Sequence, residues 1–200
     1  MNLLHIENIK YVEVRFSPEL HTQKGLTNEQ VLDCVLETSR EINKSRKQND
    51  KLPIVKVICI AVRNLGDEHV TRMAQLTKQF YELESKQESR ELVAFDIAGS
   101  EAEFPTHLFE KQLKLVNDAG VPITVHSGEA GGPENVRSAV NSGAKRIGHG
   151  VALQHDPELM NIVKEKDVAI EICLTSNQIT KACPNLSEVL FRFLLFLSNA

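Results

Sequence analysis

The chain alternates. Short runs rich in β-branched and apolar residues occur at Tyr11–Phe16, Ile54–Val62, Leu92–Ile97, Val121–His126, Lys145–His149 and Val168–Leu174. Longer stretches with helical periodicity separate them. Several of the runs are nearly continuous apolar segments, as strands covered on both faces require. Strand followed by helix, repeated along the chain, means parallel pairing through crossovers. Two closures fit that pattern: a doubly wound open sheet or a (β/α)8 barrel. No G-x-G-x-x-G follows the first run, which disfavours the dinucleotide-binding open sheet.

The intervening segments carry their own start and stop signals. Thr27–Ser45 opens with Thr27 and Gln30 in capping-box spacing and presents Val31, Val35, Thr38 and Ile42 as its apolar stripe. Asp67–Leu83 repeats Val70, Met73, Leu76 or Thr77, and Phe80. Thr106–Ala119 carries Leu108, Phe109, Leu113 and Val116, with Gly120 just past its end and Pro122 forbidding continuation. Pro133–Ser142 closes at Gly143. Asp156 and Pro157 read as N-cap and first helical residue of a helix to about Lys166.

Composition narrows the function classes. The 200 residues carry a net charge of −4, and no cluster of cations of the kind a nucleic-acid backbone needs. With 42% hydrophobic and 25% charged residues the chain is neither disordered nor membrane-spanning. Cys34, Cys59, Cys173 and Cys183 form no C-x-x-C, so they read as reduced thiols of a cytoplasmic protein.

In parallel α/β proteins chemistry gathers at the C-terminal ends of the strands. The polar residues there are Glu13 and Arg15, then Arg63, then Asp96 with Gly99, then His126 with Glu129, then His149, then Glu171 with Thr175-Ser176-Asn177. Several ionisable groups in register point to a polar mouth suited to a metal. A neutral imidazole at His126 can ligate zinc, and Glu129 can donate a proton to the same substrate. The glycine-rich loop Gly128–Pro133 invites a second reading as a phosphate cradle, weakened by the lack of a P-loop Lys and Ser/Thr.

Together these segments resemble a known family. Tyr11-Val12-Glu13-Val14-Arg15-Phe16-Ser17-Pro18, Asp96-Ile97-Ala98-Gly99, Val125-His126-Ser127-Gly128-Glu129, Arg146-Ile147-Gly148-His149-Gly150 and Glu171-Ile172-Cys173 through Ser176-Asn177 resemble the adenosine deaminase family, in order and at matching spacing. The likeness runs from about Ile6 to about Ser187, with Ser127 where the family usually has Ala. It implies a (β/α)8 barrel of the TIM type with one Zn2+ ion, hydrolysing the 6-amino group of adenosine to give inosine and ammonia. His126 then matches a zinc ligand, and Glu129 the residue that protonates purine N1. His149 matches the histidine that orients the attacking water, and Gly99 the glycine whose N–H binds purine N3. Gly148 before His149 favours adenosine over adenine, since adenine deaminases of the family usually carry Asp there. The implied partner is a small purine nucleoside, with no nucleic acid and no membrane.

The family's His-x-His and Asp-Asp strands have no counterpart here, which removes three of four expected zinc ligands. His5 and His21 read as solvated loop residues. The resemblance therefore implies an incomplete barrel, strands two to seven of eight, over 1–188, followed by a divergent apolar tail at 189–200. Phe191, Phe193, Leu194 and Leu197 in that tail are expected to cover an open sheet edge or to form an associating patch. Three functions remain in view: an adenosine deaminase incomplete as it stands, a relative acting on adenine or another purine, and a non-catalytic binding module.

Overall fold

The computed structural model describes residues 8–46, 52–87 and 89–183. Six parallel strands, β1 (Tyr11–Phe16), β2 (Ile54–Val62), β3 (Leu92–Ala98), β4 (Ile123–Ser127), β5 (Arg146–His149) and β6 (Ala169–Glu171), lie side by side in chain order. A doubly wound sheet reverses its strand order at a switch point. This one does not reverse, and the fold is a curled α/β section of a (β/α)8 barrel.

Helices α1 (Asn28–Arg46), α2 (Gly66–Glu84), α3 (Glu110–Asp118), α4 (Pro133–Asn141) and α5 (Pro157–Glu165) connect successive strands. The capping box at the start of α1 is reciprocal: Gln30 N–H donates to Thr27 Oγ1 at 3.2 Å and Thr27 N–H to Gln30 Oε1 at 2.9 Å. Asp156 caps α5 through the N–H of Leu159. Gly120, at φ +75°, takes the left-handed position that ends α3.

The helices bury Leu32, Leu36, Val70, Met73, Leu113, Val116 and Leu159 against Cys59, Phe95, Ile97, Ile123, Val125 and Ile147 of the sheet. Each large side chain so buried contributes on the order of 1.5–3 kcal/mol. Val31 is buried and Val35 packs against the core as expected, but further along α1 the inward face is turned from the expected stripe. Leu32, Leu36 and Ser39 face inward, while Thr38 is exposed and donates to the Cys34 carbonyl.

Three local expectations need correction. Residues 106–109 form a 3-10 turn before α3, because Thr106 N–H is drawn to Asn135 Oδ1 at 2.9 Å and its hydroxyl lies 3.3 Å from Arg63. β4 starts two residues later than expected, since Pro122 has no N–H to pair. A further 3-10 turn, Val151–His155, follows β5. β6 ends at Glu171, and a sixth helix, α6 (Leu174–Ile179), follows where the apolar run suggested continued strand. The apolar tail and the 188/189 boundary lie outside the described residues, as does His5.

Parallel register sorts the sheet into two faces. Arg15 pairs with Ile58, Ile60 with Asp96, Asp96 with Thr124, Thr124 with Arg146, and Gly148 with Glu171. Partners in register point the same way, so Arg15, Asp96, Thr124, Arg146 and Glu171 share the face away from the helices.

Candidate active site at the strand ends

Asp96, fully buried on β3, organises this face. Its Oδ2 accepts from Arg15 Nη1 at 3.0 Å, and its two oxygens lie 3.1 and 2.9 Å from His126 Nδ1. The backbone N–H of His126 adds a longer bond to Oδ1 at 3.3 Å. A carboxylate only accepts, so the ring proton of a neutral His126 sits on Nδ1 and leaves Nε2 with its lone pair. That is the arrangement in which a carboxylate orients a metal-ligating imidazole. Burial works against the charged form of His126. The hydrogen bond and charge of Asp96, helped by Glu171 and opposed by Arg15, overcome it and leave the pKa raised.

The network extends across the sheet. Arg15 Nη2 donates to Glu171 Oε2 at 2.8 Å, Thr124 donates to Glu171 Oε1 at 3.3 Å, and Arg146 bonds Glu13. Arg63, at the end of β2, is 0% exposed. Its guanidinium donates to the carbonyls of Phe104 and His126 and so anchors the β4 strand end from behind. Burial lowers its pKa, and the charges of Glu101 and Asp96 oppose that shift.

His149 breaks the alternation of β5. Strict pleating would put it on the side of Ile147, but at φ +69° it leaves strand geometry, and its ring lies 5.2 Å from that of His126. A non-glycine residue at positive φ is strained by about 1–3 kcal/mol and marks sites where the surroundings over-determine the geometry. Here the surroundings are Asn177 of α6, whose Oδ1 meets His149 Nδ1 at 2.6 Å, and Glu129, whose Oε2 lies 3.5 Å from Nε2. Thr180, just past α6, reaches Glu129 Oε1 at 3.1 Å and the Ser176 carbonyl at 2.9 Å, and its single hydroxyl hydrogen serves one of them at a time.

The loop carrying Glu129 hangs on one carboxylate. Glu101 Oε1 accepts from Gly128 N–H at 2.6 Å and the Ser127 hydroxyl at 3.3 Å, while Oε2 accepts from the N–H groups of Glu129, Ala130 and Gly131 at 2.9, 3.0 and 3.1 Å. Gly99 follows β3 at φ +109°, and a Cβ there would lie 2.3 Å from Asn64 Oδ1. That oxygen also accepts the N–H of Ser100, so the turn after β3 is fixed.

The structure thus brings His126, Glu129 and His149 together and sets Gly99 at the end of the neighbouring strand. His21 is exposed and packs edge-on against Phe16. Glu101 and Thr180 were not visible as site residues in the sequence. The one signal was Glu101's closeness to the Asp96–Gly99 motif.

These features coincide with the outcome of comparison with known proteins. The adenosine deaminase family model matches residues 2–196. The chain belongs to the adenosine deaminase family. A curated adenosine deaminase of Enterococcus faecalis is 36% identical over 188 residues, covering 93% of this chain and 52% of that protein. The apo N6-methyl-AMP deaminase of Arabidopsis thaliana shares the fold at TM-score 0.78 and 22% identity, over 98% of this chain and 56% of that one. An amidohydrolase from Burkholderia ambifaria, solved with bound zinc, shares it at TM-score 0.71 and 18% identity, over 94% and 49%. The chain spans about half the length of the curated relatives it matches.

Zinc fits the described residues only in part. His126 Nε2 is the free nitrogen of an oriented imidazole, but among the described residues no group of three His, Cys, Asp or Glu could hold a metal ion. Catalytic zinc sites use three protein ligands. The donor set among the described residues does not suffice.

Proposed function

We propose that this chain carries the purine-facing part of an adenosine deaminase site, whose reaction is hydrolytic deamination of adenosine, and of 2'-deoxyadenosine, to inosine and ammonia in cytoplasmic purine metabolism. The observation that supports this most is the convergence of Glu129, His149 and His126 at the ends of β4 and β5. In this reading Glu129 delivers a proton to purine N1, which makes C6 electrophilic. The N–H of Gly99 binds N3. His149, held by Asn177, hydrogen-bonds the attacking water and the developing hydroxyl. His126 offers Nε2 as one zinc ligand.

Adenosine rather than adenine is supported by Gly148. A Cβ at that position would lie 3.4–3.6 Å from His126 Cα, Cγ and Nδ1, so an aspartate there would place its carboxylate beside the imidazole. Glycine keeps that space open. The 200 residues by themselves neither hold zinc tightly nor deaminate, because the described residues supply one oriented imidazole where three ligands are needed. A binding role without catalysis is the second reading, and the same shortfall of ligands favours it.

The purine-facing claim is tested by NMR of the labelled chain titrated with adenosine. Shift changes confined to the His126 and His149 rings and the Gly99 amide are expected. Changes scattered over the surface, or none at millimolar adenosine, would overturn it.

A further inference from the structure

The glycine-rich loop after β4 has the backbone of an anion-binding nest. The N–H groups of Gly128, Glu129, Ala130 and Gly131 converge on one side, as they do where a phosphate is cradled. The anion is internal: Glu101, 4% exposed, fills the nest with its side-chain carboxylate. The glycines permit the closure. A Cβ on Gly131 would lie 3.0 Å from Glu101 Cδ and 2.0 Å from Asn135 Nδ2, and one on Gly128 2.7 Å from Val136 Cγ2. The loop has the backbone shape of a phosphate cradle, and a carboxylate of the same chain occupies it.

We propose that Glu101 is the positioning residue for Glu129. Its carboxylate binds the backbone N–H of Glu129 and of the residues on either side, while Thr180 and His149 meet only the end of the Glu129 side chain. The carboxylate of one strand-end loop thereby sets where the acid of the next one stands. Arg63, buried at the end of β2, holds the His126 carbonyl at the base of the same loop. The word positioning rests on the deaminase reading of Glu129, whereas the filling of the nest does not.

The test is amide hydrogen exchange on the 200-residue chain. Glu101→Ala is expected to speed exchange at Gly128 to Gly131 by at least about tenfold, as loss of a charge-assisted hydrogen bond implies. Phe95 and Ile97 of β3 are expected to keep their protection. The carboxyl carbon signal of Glu129 should broaden as the side chain leaves its place beside His149. Sodium formate should restore both readouts, whereas sodium chloride at the same ionic strength should not. Should the alanine variant fail to fold, Glu101→Gln keeps the shape, replaces one acceptor oxygen by an NH2 group, and is expected to loosen the loop without responding to formate. Unchanged loop exchange in either variant, a uniform rise that includes β3, or loosening of Glu101→Ala that formate does not reverse would each overturn the proposal. A tight loop together with no adenosine-induced shift at His126 and His149 would instead overturn the deaminase reading alone.

Discussion

Asp96 holds the imidazole of His126 from a position 30 residues earlier in the chain, with 2.9 Å between carboxylate oxygen and Nδ1. The same carboxylate receives Arg15, and it is completely buried. Replacing it with Asp96→Asn keeps the shape but removes the charge that both partners face. The urea midpoint should fall by the equivalent of roughly 1–3 kcal/mol, the range for leaving a buried charged partner poorly satisfied. An unchanged midpoint would mean that the network adds nothing to stability.

Glu19 yields a pH dependence. Its carboxyl is held below the ordinary value by the Arg72 hydrogen bond, against the effect of burial, with His69 adding to the lowering. A group whose folded value lies below its unfolded one stabilises the fold above the unfolded value, here 4.5, and loses that stabilisation as pH falls through the folded value. The gap in urea midpoint between the chain and Glu19→Gln should be constant above about pH 5.5 and should close below 4.5. A gap that widens on acidification would reverse the sign.

How much of this was legible in the sequence differs by element. The capping box at Thr27 and the Asp156 cap act between neighbouring residues, so their patterns sufficed. The strand order follows from parallel pairing in chain order, whereas the grouping of His126 with His149 also needs the positive φ of His149, because register alone pairs His126 with Gly148. The end of β6 was not legible, because an apolar run from Val168 to Leu174 reads the same whether it continues as strand or turns into α6. Glu101 was hidden for another reason. Its partners are backbone N–H groups, which any sequence would supply, and only the fold brings them together.

Gly99 should tolerate no side chain. Gly99→Ala would combine positive φ with a Cβ 2.3 Å from Asn64 Oδ1, so Asn64 must leave the N–H of Ser100. A loss of roughly 1–2 kcal/mol is expected from the backbone strain alone. The Ser100 amide should exchange faster in the variant, and retention of its protection would contradict this account of the turn.

The thiols should separate by accessibility. Cys59 is fully buried, and burial pushes its pKa up to about 12, whereas Cys34 is exposed. Iodoacetamide at neutral pH should label Cys34 in the folded chain and reach Cys59 only after denaturation. Mass spectrometry of the labelled peptides reads this directly, and early labelling of Cys59 would show that β2 opens locally.

The central proposal is that the groups proposed to face a purine, His126, Glu129 and His149, converge here while no metal ligand set is found among the described residues. The direct measurement is zinc content of the purified 200-residue chain after dialysis, together with the ultraviolet change as adenosine becomes inosine. The account predicts zinc well below one per chain and no turnover above background. One zinc per chain with turnover typical of the family would contradict it, because residues other than His126 would then have to complete the site.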